Sequence, residues 1–407
     1  MPALRWYLLS MTGNWSAMQM QQVTRGFLAF QLTGSYAALG GIELAAAMPR
    51  LFLALTGGVV ADRANRRLVL QIGQVFQALL AAGLATLLFL DMLRFEHLVI
   101  SAILQGVSNS FVMPSRQAMI PEIVGPDRLM NAIGLNTFTM SSTRLMAPAL
   151  AGTLIAAFGA QWVFATMTGL YILAVVAMSR VPAIRSQRAR SRAAANGAPG
   201  AAAASSATRD ILDALRYLRG QRVLMLLLGM HMFITILVMP YQRLLPGFVG
   251  ELLSSDAAEA ARRQGYLLTL TAVGALAGSL AVASLPNGHR GKLLLGSMAL
   301  FGLSLLVFSQ FTVFWINAAV VIVLGVGQAG RQSLQTVLIQ THVSNEFRGR
   351  ISSIQLLEDG VESLGIFAIA VAAGIFGVQV ALAGAAIGLM VLAAGLWVFS
   401  PTYRNLA

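Results

Sequence analysis

GGVVADRANRRLVL occupies residues 57–70, and Asp62, Arg63, Arg66 and Arg67 place four charges within six positions of it. The chain around it is 57% hydrophobic and only 11% charged. Soluble domains lie nearer half apolar and a quarter charged. The stretch therefore reads as a polar turn between two apolar runs, and the runs read as membrane-crossing helices.

A crossing needs about 20 mostly apolar residues. Working outwards from the turn, the 407 residues divide into twelve such segments. The first six lie at 6–32, 37–60, 67–91, 96–118, 129–157 and 160–180. The second six lie at 222–249, 264–285, 292–311, 313–341, 348–376 and 378–400. This predicts an all-α membrane protein with an N-terminal bundle at 1–180, a linker at 181–221 and a C-terminal bundle at 222–407. The linker is rich in Ala, Gly, Ser and Arg, which marks it as flexible. Its end spaces Ile211, Leu212, Leu215 and Leu218 as an amphipathic helix would, either on the membrane surface or solvated. The N-terminus has no small-residue cleavage site and reads as a retained first helix.

The net charge of +13 would fit a nucleic-acid binder, but its placement does not. Nineteen basic residues fall on the side that holds both termini and the linker. Only Arg94, Arg262 and Arg263 fall opposite, and six more lie within segments. The positive-inside rule makes the basic side cytoplasmic. The charge then serves topology and anionic lipid head groups, and no nucleic-acid partner is needed. Cysteine is absent, which removes disulfides, thiolate chemistry and Cys-ligated metal. No phosphate loop, metal-ligand cluster or hydrolase motif occurs. A transporter with this sequence would draw on an ion gradient and carry no cofactor.

The halves repeat. Residues 59–70 align without gaps to 284–295, and SRQAMIPEIV (115–124) aligns to GRQSLQTVLI (330–339). Such repeats are common in transporters.

With these features the chain resembles the major facilitator superfamily along its whole length. The superfamily loop between helices two and three is matched by Gly58, Asp62, Arg63, Arg66 and Arg67, with Asn65 where Gly is usual. Asn tolerates left-handed backbone, so that departure is mild. The resemblance implies that this loop latches the two halves on the cytoplasmic side. Asp62 would face residues 348–352, with Arg116 as a partner. The simpler reading leaves the arginines as topology determinants.

Residues 114–155 look like the enterobactin-exporter-like branch of drug:proton antiporter type. The matching positions are Pro114, Arg116, Gln117, Ala118, Ile120, Pro121, Glu122, Val124, Leu129, Asn131, Ala132, Arg144, Pro148 and Gly152. Pro148 and Gly152 belong to a helix-packing motif in which Ala147 replaces Gly.

Charge inside a bilayer is costly, so intramembrane charges are site candidates. Segment eleven carries LLEDGVESLG, with Glu358 and Glu362 on one face and Asp359 beside them. Close carboxylates away from bulk water can share a proton, which suits proton coupling. Glu43 in segment two is a further coupling candidate, with Arg25 as a partner or substrate contact. Arg144, Arg331, Gln335, Arg25 and His231 are candidates for binding substrate. Helix-to-helix pairing is the simpler reading for each.

Together these features imply proton-coupled export of a small molecule, a siderophore-like polar or anionic metabolite, by alternating access. Multidrug efflux of lipophilic or cationic compounds stays open, as does uptake of a solute or lysolipid. A monomer in the cytoplasmic (inner) membrane of a bacterium is expected, with membrane lipids as its only other partner.

Overall fold

A computed structural model describes residues 2–182, 222–284, 288–342, 348–400 and 403. Side chains at 54–63, 126, 222–223, 342 and 348–359 lie outside the description. The described residues form helices and no strand. They are α1 (Pro2–Thr33), α2 (Tyr36–Arg63), α3 (Arg66–Phe89), α4 (Phe95–Val124), α5 (Leu129–Phe158) and α6 (Ala160–Ser179). Then come α7 (Arg222–Leu237), α8 (Tyr241–Phe248), α9 (Ala257–Ser284), α10 (Arg290–Gln310), α11 (Phe314–His342), α12 (Arg348–Phe376) and α13 (Val378–Phe399).

The seventh segment is α7 and α8 together with a π-turn at Val249–Leu253. Pro240 stands at the N-cap of α8, and Pro246 lies within the helix. A proline removes a ladder donor and crowds the preceding turn, so the segment breaks here instead of running straight. Counting it once gives twelve spans. Nine spans among the described residues are long and apolar enough to cross a membrane on that criterion alone. Phe52, Met130, Trp315 and Phe399 are largely exposed on the helix surfaces. Such a surface is stable against lipid and not against water.

One boundary needs correction. The segment expected at 264–285 begins earlier, because α9 starts at Ala257. The Asp256 carboxylate accepts the Glu259 N–H at 2.8 Å, capping a polar first turn that hydropathy alone misses. Asn65 makes no use of the left-handed backbone that Asn tolerates, as its φ is −68°. Its side chain instead accepts the Arg67 N–H and caps α3.

The chain divides into two compact units, Met1–Leu28 with Ala45–Thr208, and Ala29–Leu44 with Arg209–Ala407. In the first, α3 packs on α4 and α6, and α5 packs on α6. In the second, α10 packs on α11 and α13, and α12 packs on α13. The same pairs thus recur in both halves, as the sequence repeat implies. Small residues permit close approach. A Cβ on Gly106 would sit 2.3 Å from the Ala46 carbonyl, and one on Gly274 would sit 1.9 Å from that of Ile322. The amphipathic helix expected at 208–222 falls on residues outside the description.

Candidate functional site

In the first unit a polar seam runs through apolar helices. Ser10, Asn14, Gln21 and Arg25 recur along α1 at spacings that share one face. Gln74 and Gln77 on α3, and Gln105, Ser108 and Arg116 on α4, are buried with them. Arg25 donates to Gln105 Oε1 at 2.7 Å, and the Gln105 amide donates to Gln21. Gln74 donates to Ser10 Oγ at 2.9 Å, and Ser10 donates to the Ala174 carbonyl at 2.8 Å. Buried polar groups need such partners, since an unmet one costs about 1–3 kcal/mol. The amides and serines were missed from sequence because they carry no charge. Their three- and four-residue spacing was the available signal.

Arg116 is buried, with its guanidinium 4.6 Å from the centre of the Trp15 ring. Gly58, Asp62 and Arg63 fall in the last turns of α2, with side chains outside the described residues. Their pairing with Arg116 is therefore not described. Arg66 reaches the Ala118 carbonyl at 3.2 Å and forms an ion pair with Glu122. Arg67 donates to the Ser179 carbonyl at 2.7 Å. Both arginines thus tie α3 to its own bundle. Arg144 is exposed on α5, while Pro148 and Gly152 are buried on that helix.

In the second unit Arg331 is 2% exposed and donates to Gln335 Oε1 at 2.8 Å. Gln335 in turn donates to the Leu227 carbonyl at 3.2 Å, linking α11 to α7. His231 is partly buried on α7. Glu362 is partly buried on α12 beside buried Ser363. The Glu358 and Asp359 side chains lie outside the described residues. Glu43 pairs with Arg243 at 3.4 Å. Nearby, the Tyr36 hydroxyl donates to Glu251 at 2.7 Å.

The break in the seventh span presents its own cluster. The Tyr241 hydroxyl donates to Gln328 Oε1 at 3.1 Å, and Gln242 donates to the Tyr241 oxygen at 3.0 Å. Discontinuous helices are where transporters commonly present polar groups at mid-membrane.

The arrangement is a set of buried cations, amides and hydroxyls inside lipid-facing helices. It can offer hydrogen bonds and positive charge to a polar solute, and partly buried carboxylates to protons. The family described as transmembrane secretion effector matches residues 4–403. The chain is 22% identical to the staphyloferrin A transporter of Staphylococcus aureus (strain NCTC 8325 / PS 47), covering 90% of this chain and 87% of that protein. It is 25% identical to the uncharacterized MFS-type transporter YfiS of Bacillus subtilis (strain 168) over 38% of this chain and 36% of that one. Among solved structures it is similar to the nucleoside transporter NupG, with a TM-score of 0.74, 13% identity and coverage of 97% of this chain and 98% of that one. It is similar also to a D-xylose–proton symporter, with a TM-score of 0.72, 13% identity and coverage of 98% of each chain. The fold is that of the major facilitator transporters.

Proposed function

The chain belongs to the transmembrane secretion effector family, and on that premise we propose that it exports a siderophore-like anionic or polar metabolite in exchange for protons. The observation that carries this reading is the pair of buried arginine–amide clusters. Arg25 with Gln105 and Gln21 lies in the first unit, and Arg331 with Gln335 lies in the second. Burying a cation inside an apolar helix bundle is costly, and an anionic cargo gives that cost a use. Similarity to a siderophore transporter along most of the chain supports the same cargo class.

Protons enter from outside and load carboxylates on α12, with Glu362 the principal carrier and Glu358 and Asp359 beside it. Arg144, Arg331, Gln335, Arg25 and His231 contact the cargo. Release of the proton to the cytoplasm accompanies cargo binding, so one gradient drives the other by alternating access. The transporter works as a monomer in the cytoplasmic membrane of a bacterium, with no resident cofactor.

Everted membrane vesicles test the reading. With an imposed proton gradient, staphyloferrin A should accumulate inside vesicles that contain the protein. Collapse of the gradient should abolish accumulation. Accumulation of cationic dyes alone would instead establish multidrug efflux, the reading that the acidic residues of α12 favour.

A further inference from the structure

The first unit holds a small, partly open pocket of mixed polarity between α1, α3, α4 and α6. Asn14, Gln77, Ser108, Asn109, Arg116 and Tyr171 line it. Its enclosed part has room for about one water-sized group, and the rest of the space is open to the surroundings. All of these residues belong to the first unit.

Among the lining residues described, Arg116 carries the one charge. It is 7% exposed, and its Nε and Nη1 have no hydrogen-bond partner among the described residues. Stacking on Trp15 offsets part of the burial cost. A ring face does not satisfy a guanidinium, which has five N–H donors and no acceptor. Two lining residues, Gln77 and Ser108, likewise have a buried oxygen, Oε1 and Oγ respectively, with no hydrogen-bond partner among the described residues.

The internal repeat sharpens the contrast. Arg116 aligns with Arg331 in the second half. Arg331 donates to Gln335 one turn along its helix. The position aligned with Gln335 is Ile120, whose side chain can accept nothing. The first half therefore keeps a buried arginine and omits the side chain that engages its counterpart.

We propose that this pocket binds a carboxylate group. Arg116 supplies charge and N–H donors, and Ser108 supplies an O–H donor. Gln77 supplies its amide N–H₂ after rotation of the terminal group, whose oxygen and nitrogen exchange places. Donors from three side chains suit a planar two-oxygen anion. With that little enclosed room, the pocket takes the oxygen end of one carboxylate, and the rest of a larger molecule lies outside it. As a subsite for exported cargo the proposal rests on the function given above. As a carboxylate site it stands on the geometry alone.

Trp15 provides the readout, because its ring lies against the guanidinium. In the full chain, Trp6, Trp162, Trp315 and Trp397 are replaced by Phe, leaving Trp15 as the sole indole. The purified protein in detergent is titrated at constant ionic strength with acetate, acetamide and chloride. Acetate should give a saturable change in Trp15 fluorescence, and the other two should not. Arg116→Gln should weaken the acetate response by roughly tenfold or more, and Arg116→Lys should retain part of it. Where Arg116→Gln does not fold, the Gln77→Leu, Ser108→Ala double variant should weaken it instead. No saturable response to acetate, an equal response to acetamide or chloride, or an unchanged response in a folded variant overturns the proposal. Because no gradient is present, export can be scored separately. Flux without acetate binding rejects the site, and acetate binding without flux rejects the export reading.

Discussion

Arg243 Nη1 lies 3.4 Å from Glu43 Oε1, joining α8 to the start of α2 within the second unit. The side chains are 26% and 14% exposed, so water screens the pair only in part. Tyr36 and Glu251 form a second polar contact between the same parts of the chain. A double-mutant cycle with Glu43→Gln and Arg243→Gln should give a coupling of about 1 kcal/mol in thermal or denaturant unfolding. The exchanged pair, Glu43→Arg with Arg243→Glu, should recover part of the loss. Strictly additive effects would show that the contact contributes nothing.

Gly274 is held against the backbone of α11. An added Cβ would meet the Ile322 carbonyl at 1.9 Å, and one added to Gly325 on the opposite helix would meet the Thr271 carbonyl at 2.2 Å. Neither backbone can yield cheaply. Gly274→Ala should therefore destabilise the protein by about 1–3 kcal/mol, read as a lower unfolding midpoint in detergent. Gly296, with nothing within 4 Å of a Cβ, is the control and should tolerate Ala.

Arg144 is exposed on α5, and no described residue forms an ion pair with it. Its substitution should leave the fold intact. Arg144→Gln should raise KM for an anionic cargo by roughly tenfold while Tm stays unchanged. An equal rise for a neutral cargo would show that the charge plays no part in recognition.

Helix positions were legible because hydropathy and length decide them. Residues 348–376 and 129–157 were expected as helices and are α12 and α5, within one residue at each end. The break at Pro240 was signalled by proline, but the apolar run around it masked the signal. The early start of α9 was invisible to hydropathy, since its first turn is polar and rests on the Asp256 cap and the pairing of Glu259 with Arg263. Charged candidates drew attention in the sequence, but pairing depends on which helices meet. The contact of Arg25 with Gln105 joins α1 to α4, and that of Arg243 with Glu43 joins α8 to α2. Neither follows from spacing within one helix.

Under the proposed exchange, cargo leaves against protons carried by α12. Proteoliposomes with a pH-sensitive dye inside test it directly, comparing the parent protein with Glu362→Gln upon addition of staphyloferrin A. Proton exchange through α12 should give cargo-evoked proton movement in the parent and its loss in the variant, with cargo binding retained. Undiminished proton movement in Glu362→Gln would contradict the assignment of the carrier, and cargo movement without any proton signal in the parent would contradict proton exchange itself.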